Sequence, residues 1–261
     1  MRIGGARIWV TGASSGIGAA LARELADRGA VVAISARNED KLREVAGDRM
    51  HVVPVDVTDR DAVLAAGAAV RAALGDIDVA VLNAGTWSQF DVEKWDSAAF
   101  EEHLRTNLMG TVHTLEAVVP TMLAQRRGRI VGTASVAGYR GIPGAEAYGA
   151  TKAALLNLFE SLRGSLAPRG IVVQTLAPGF VRTPMTERNS FPMPFLIDPE
   201  EAARAIAEGI EKDKAEVVFP VPMMLLMKAA RLVPARAWTA FTAGLARRGM
   251  RARSGQETSV R

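Results

Sequence analysis

Tyr148 and Lys152 stand four residues apart in a stretch of helical patterning, so their side chains share one helix face and their polar tips can meet one ligand. A phenol ionises near pH ~10, too high for ready proton exchange at neutral pH. An ammonium beside it favours the phenolate and draws that value down. The pair therefore reads as a general acid/base, with Tyr148 moving the proton and Lys152 tuning it. Ser135 lies thirteen residues earlier, at the end of a strand-like run, where open parallel sheets hold their ligands. Its hydroxyl suits hydrogen bonding to a substrate oxygen as charge grows there. A nucleophilic role for Ser135 is disfavoured, because no G-x-S-x-G elbow surrounds it and His51, His103 and His113 have no evident relay. The three histidines read as strand or helix-surface residues.

A second constellation lies near the start of the chain. Thr11-Gly12-Ala13-Ser14-Ser15-Gly16-Ile17-Gly18 joins the first strand-like run to the first helical one. Glycines there allow a tight turn and let backbone N–H groups and a helix N-terminus approach a pyrophosphate. Taken alone, such a turn also suits an ordinary strand-to-helix loop.

The spacing Gly12, Gly16, Gly18 resembles the T-G-x-x-x-G-x-G turn of the short-chain dehydrogenase/reductase family, and further motifs fall in that family's order. They are Asp56-Val57, Asn83-Ala84-Gly85, Asn107, Ser135, Tyr148-Gly149-Ala150-Thr151-Lys152, and Pro178-Gly179 followed by Val181 and Thr183. The resemblance covers roughly residues 5 to 220. It implies hydride transfer between a nicotinamide and a carbonyl/alcohol pair, with a catalytic tetrad of Asn107, Ser135, Tyr148 and Lys152. Asn107 would hold a water that passes protons to Lys152. Gly12, Ser14, Ser15, Gly16, Ile17 and Gly18 would cradle the pyrophosphate. Asp56, Val57, Asn83, Ala84, Gly85, Tyr148, Lys152, Pro178 and Gly179 would also bind the cofactor, with Thr183 and the backbone near Val181 anchoring the nicotinamide carboxamide. Homodimers or homotetramers are also implied.

The end of the second strand meets the adenosine ribose, where an acidic residue favours NAD and a cation favours the 2′-phosphate of NADP. Here the chain reads Ser35-Ala36-Arg37-Asn38, with Ala36 where the family's NAD enzymes carry Asp. Arg37 and Asn38 therefore point to NADP(H) over NAD(H). Beyond Thr183, the loop to Ile197 carries Met185, Phe191, Met193 and Phe195. With Trp87 and Phe90, it suggests a greasy pocket in which Trp87, Met185 and Phe191 touch a hydrophobic or lipid-like substrate.

The elements that must position these groups alternate. Strands are expected at Ile8–Thr11, Val31–Ser35, His51–Val55, Val79–Leu82, Arg129–Thr133, Ile171–Leu176 and Glu216–Phe219. Helices are expected at Ile17–Leu25, Glu39–Ala46, Arg60–Ala73, Ala98–Ala124, Tyr148–Leu166 and Pro199–Lys212. Alternation with near-continuous apolar strands predicts an α/β fold. It is a single-domain, Rossmann-like, doubly wound parallel sheet of about seven strands, with helices on both faces and a helical C-terminal extension. The expected organisation is a main domain over residues 1–220, an apolar and basic helical extension over 221–248, and a flexible tail over 249–261.

Composition sets the outer bounds. The 261 residues are 49% hydrophobic and 23% charged, which excludes a disordered chain. The absence of cysteine removes disulfides, thiolate chemistry and Cys-ligated metals, and no metal site is expected. Net charge is +4, yet from Lys228 onward there are eight basic residues and one acidic. The remainder, with 24 basic and 27 acidic residues, is slightly negative. With no leader-like start and no spanning segment, the chain is expected to be cytoplasmic. Its extension offers either a subunit interface, a lid, or a peripheral contact with anionic lipid. Basic charge without an aromatic platform excludes nucleic acid as an expected partner. Two other readings share the fold: a nicotinamide-sensing module without turnover, and an isomerase, for which no second acid/base site is marked.

Overall fold

The computed structural model describes residues 1–189 and 191–244. Seven strands form one parallel sheet in the order β3-β2-β1-β4-β5-β6-β7. They are β1 (Arg7–Thr11), β2 (Val31–Ser35), β3 (His51–Val52), β4 (Val79–Leu82), β5 (Gly128–Thr133), β6 (Ile171–Pro178) and β7 (Glu216–Phe219). The period of two assigns alternate residues to opposite faces. Ile8 and Val10 join one core layer and Trp9 the other, as do Val32 and Ile34 against Ala33. Both faces are thus covered, as an all-parallel sheet requires.

On the first face lie α1 (Gly16–Asp27), α2 (Glu39–Ala46) and α7 (Pro199–Glu211). Leu21 and Leu25 of α1 and Ile206 and Ile210 of α7 are fully buried there. The second face carries α3 (Arg60–Leu74), α5 (Gly110–Gln125) and α6 (Glu146–Leu166). Helix ends follow their local chemistry. Asn38 caps α2 through the Lys41 N–H, Asp59 caps α3 through the Ala62 N–H, and Gly75 ends α3 in a left-handed conformation.

Strand order reverses between β1 and β4, so the crevice at their C-terminal ends is the natural ligand position. Thr11 links these two strands. Its hydroxyl donates to the Val81 carbonyl and accepts the Asn83 N–H at 3.2 Å.

Two expected elements differ. The third strand stops at Val52 rather than Val55, because Pro54 has no N–H to give the ladder. Val53 and Val55 still donate to Ile34 and Ala36, carrying the chain onward beside β2. The single helix expected over residues 98–124 is broken. It begins as α4 (Ser97–His103), passes through a π-helical stretch at Leu104–Met109, and resumes as α5. Within the stretch, the Gly110 N–H reaches back five residues to the Arg105 carbonyl. Such wide turns are a frequent feature of functional sites, and this one contains Asn107. Gly110 then lets α5 seat on Val57, where a Cβ would lie 2.6 Å from a valine methyl.

After β7 the chain forms α8 (Val221–Leu232) and a further helix over residues 235–244. Met223 and Met227 of α8 pack on Val136, Tyr139 and Ala177. The expected helical residues 245–248 and the expected tail over 249–261 lie outside the described residues. No described helix is long and apolar enough to cross a membrane.

α6 meets β5 with little tolerance: a Cβ at Gly132 would lie 2.0 Å from the ring of Phe159, which is fully buried. Gly132→Ala should therefore destabilise the protein by about 1–3 kcal/mol in urea unfolding. An unchanged midpoint and slope would contradict this packing.

Candidate active site

The C-terminal ends of the strands and the loops that follow enclose a cleft of about 390 Å³. Its floor is the turn after β1. Gly12 has φ of +69° and Gly16 of +54°, a left-handed geometry that glycine adopts without strain. A Cβ at Gly12 would lie 2.6 Å from the Ala84 backbone, and one at Gly18 only 2.2 Å from the Gly12 carbonyl. The turn therefore closes against the Asn83-Ala84 corner, and Asn83 Nδ2 donates to the Gly12 carbonyl at 3.2 Å. Ser14, Ser15, Gly16, Ile17 and Gly18 all line the cleft. Ser15, the residue before α1, makes no side-chain cap, so the first N–H groups of that helix are free of side-chain partners. Free helix N–H groups beside a glycine turn suit a pyrophosphate. The residues present thus fit a dinucleotide.

At one end of the cleft, Arg37 and Asn38 follow β2 and Asp56 and Val57 follow β3. Asn38 Oδ1 is occupied as the cap of α2, accepting from the Lys41 N–H at 2.9 Å. That turn of helix brings Lys41 to the cleft beside Arg37, although its sequence pattern did not single it out. The only available signal was its position, three residues past a capping asparagine. Asp56 Oδ1 accepts from both the N–H and the hydroxyl of Thr58, each at 2.9 Å.

At the other end stand Ser135, Tyr148 and Lys152, with Pro178, Gly179, Val181 and Thr183 across from them. Lys152 is 3% exposed, and Nζ donates to the Thr133 carbonyl at 2.9 Å while lying 5.5 Å from the Tyr148 ring centre. Burial pulls its pKa down to about 8. Ser135 Oγ accepts from the Ala137 N–H at 3.2 Å and donates to the Pro178 carbonyl at 3.3 Å. The expected lowering of the Tyr148 pKa is not found. Burial pushes it up, and the hydrogen-bonding hydroxyl of Ser135 pulls the other way without overcoming it.

Asn107 is fully buried. Its Oδ1 accepts from the Thr86 N–H at 2.7 Å; its Nδ2 donates to the Thr86 carbonyl at 3.1 Å and to Thr151 Oγ1 at 3.2 Å. Thr151 Oγ1 in turn donates to the Tyr148 carbonyl at 2.7 Å. The side chain therefore clamps the Asn-Ala-Gly corner to α6. Gly85 sits between them, since a Cβ there would lie 3.2 Å from Asn107 Oδ1 and 3.7 Å from Lys152 Nζ. Thr86, Thr151 and the Thr133 carbonyl are contributors that residue spacing did not mark.

Trp87 stands over the tyrosine, ring centres 5.1 Å apart and nearly perpendicular, and its Nε1 donates to Asn189 Oδ1 at 2.8 Å. Met185 lines the cleft. Trp87, Phe90 and Phe191 are not among its lining residues. Phe90 is buried between Trp95 and Phe100, and Phe191 lies against Phe180. Two histidines expected on the surface are buried as well. His103 donates from Nδ1 to the Ala99 carbonyl and accepts the Ser88 N–H at Nε2, while His113 Nδ1 donates to the Val57 carbonyl at 3.0 Å. Both hold backbone near the cleft. No described group of three His, Asp or Glu residues is placed to bind a metal.

A short chain dehydrogenase model matches residues 6–192. An uncharacterized oxidoreductase of Myxococcus xanthus is 38% identical over 231 residues, which is 86% of this chain and 91% of that protein. Among solved structures, a short-chain type dehydrogenase/reductase from Mycobacterium marinum superposes with a TM-score of 0.77 at 30% identity, covering 83% of this chain and 94% of the other. One from Burkholderia phymatum, solved in complex with NAD, gives 0.80 at 24% identity over 87% and 93% and shares the fold.

The buried ammonium has a consequence for stability. Between about pH 8 and the unfolded value near ~10.4, folded Lys152 is neutral while the unfolded lysine keeps its proton. The unfolded state then binds more protons, so this residue's contribution to stability rises with pH across that window. Measured against Lys152→Met, the protein should gain up to about 1.4 kcal/mol per pH unit from pH 8 to 9.5. A difference independent of pH would show that the ammonium is not buried as described.

Proposed function

The chain belongs to the short-chain dehydrogenase family, and from that footing we propose that it is an NADP(H)-dependent reductase or dehydrogenase of a hydrophobic carbonyl/alcohol pair. The observation that carries the proposal is the buried Lys152 ammonium, which lies over the Tyr148 ring and beside Ser135 at the end of a dinucleotide-shaped cleft.

When bound, the nicotinamide supplies or takes the hydride. The chain's own groups position the substrate and move the proton. In the reducing direction, the Ser135 and Tyr148 hydroxyls donate to the substrate oxygen as it gains negative charge. Tyr148 then gives up its proton: its O–H bond breaks as one forms on the new alcohol. Lys152 stabilises the phenolate left behind, which offsets the burial that otherwise raises the phenol's pKa. Asn107 acts at one remove, holding Thr86 and Thr151 so that Gly85 and α6 keep their spacing.

Preference for NADP(H) is supported by Ala36 at the end of β2 and by two cations, Arg37 and Lys41, at that end of the cleft. Two donors of positive charge suit a 2′-phosphate and offer little to a ribose hydroxyl. The hydrophobic character of the substrate is supported by Met185, which lines the cleft, and by Trp87, which packs against the Tyr148 ring. Arg140, one candidate anchor for an acidic substrate, lies instead on the Trp238 ring at 5.2 Å. The resemblance further supports a homodimer or homotetramer.

Tyr148→Phe should lower turnover of an apolar ketone by at least about 10²-fold while leaving NADPH binding intact. Turnover at the parent rate would overturn the mechanism, and cofactor binding with no turnover by the parent would favour a nicotinamide sensor. For cofactor choice, the double change Arg37→Ala/Lys41→Ala should weaken NADPH binding by about tenfold or more, with little effect on NADH. Equal losses for both cofactors would remove the proposed role of these cations.

A further inference from the structure

Five of the fourteen exposed large apolar side chains among the described residues fall between residues 221 and 241: Val221, Leu225, Leu226, Leu232 and Phe241. On α8 the buried stripe is Met223, Met227 and Ala230. At 3.6 residues per turn, Val221, Leu225 and Leu232 recur on the opposite side. Leu225 is 61% exposed and Leu232 is 86% exposed, so this is an outward apolar face rather than a loosely covered core.

The helix that bears this face is firmly attached. Lys228 Nζ pairs with Glu216 at 2.9 Å, the Tyr139 hydroxyl donates to the same carboxylate, and the Arg231 guanidinium lies 5.4 Å over the Tyr139 ring. The helix over residues 235–244 is tied down too, with Trp238 Nε1 donating to the Gly141 carbonyl at 2.8 Å and Phe241 against the Trp238 ring.

Charge identifies the occupant. No Asp or Glu occurs between Glu216 and Glu257, while seven Lys and Arg residues do. We propose that this face docks on an anionic lipid bilayer, with Val221, Leu225 and Leu232 entering the headgroup region and basic side chains of this segment meeting lipid phosphates. An amphipathic surface with basic flanks binds membranes by both terms together. A second copy of the same face would set cation against cation. The chain's own residues 245–261 add five arginines and one glutamate, so they do not complement it either.

The docking face is independent of the catalytic reading, but where both hold they connect. Met223 of α8 packs against Gly179 at the edge of the cleft, and Met227 packs on the segment after Ser135. The bilayer would then lie one helix away from the substrate end of the cleft, a short route for an apolar substrate.

Cosedimentation of the full-length protein with vesicles tests this. Binding is expected with mixed phosphatidylcholine and phosphatidylglycerol, at least about tenfold weaker with phosphatidylcholine alone, and largely lost at about 1 M salt. Leu225→Ser/Leu232→Ser should weaken it by at least about tenfold, the factor expected from losing a buried leucine contact, with an unchanged thermal midpoint. If the double variant fails to fold, Leu232→Ser alone carries the test, because that side chain is almost wholly exposed. No sedimentation with anionic vesicles, or equal binding by a folded variant, overturns the proposal. So does a parent dimer that light scattering shows to be monomeric in the variant, since the face would then join two copies.

Discussion

Lys152 carries an ammonium with a single carbonyl partner where water has almost no access, and the arrangement of the cleft follows from that constraint. An isolated charge in such a place is costly, and burial answers part of the cost by lowering the pKa to about 8. The rest is met by geometry. The ammonium sits over the face of Tyr148 and reaches the carbonyl at the end of β5, so α6 must lie close against that strand end. Small residues make the approach feasible: a Cβ at Gly138 would meet the Lys152 backbone at 2.6 Å. On the other side, Asn107 is held in a π-helical turn that lets one buried amide serve both Thr86 and Thr151. A misplaced Asn107 would leave several buried polar groups without partners.

The opposite end of the cleft depends on a second close approach. The turn after β1 packs backbone to backbone on the corner after β4, with Thr11 and Asn83 bridging them. These strands are neighbours only because the sheet reverses its winding there. The topology therefore places the glycine turn and the side chains of Ser135, Tyr148 and Lys152 in one crevice, although they are more than a hundred residues apart in the chain.

Much of this arrangement was legible in the sequence. The strands alternate with helices at nearly their expected bounds, because buried parallel strands leave short β-branched runs that few other contexts produce. The four-residue spacing of Tyr148 and Lys152 and the three glycines of the turn marked residues that the structure brings to one cleft. What stayed hidden depends on distance and on backbone. The carbonyl that receives Lys152 belongs to Thr133, the last residue of β5, nineteen residues earlier in the chain. Lys41 reaches the cleft because α2 starts where it does. His103 and His113 read as surface residues, yet each finds backbone partners that make burial tolerable. The break around Asn107 is silent as well, since apolar residues continue through it at helical spacing. The direction of the Tyr148 pKa is decided by the depth of burial, which no spacing reveals.

The thermal midpoint of the full-length protein, alone and with saturating NADPH or NADH, tests the central claim that the cleft is an NADP(H) site. A ligand at about a hundred times its dissociation constant adds roughly 2.7 kcal/mol to the native state. In a domain of this size that raises the midpoint by several degrees. The predicted result is a shift with NADPH well above that with NADH. A larger shift with NADH would contradict the roles of Arg37 and Lys41, and no shift with either would contradict the reading of the cleft itself.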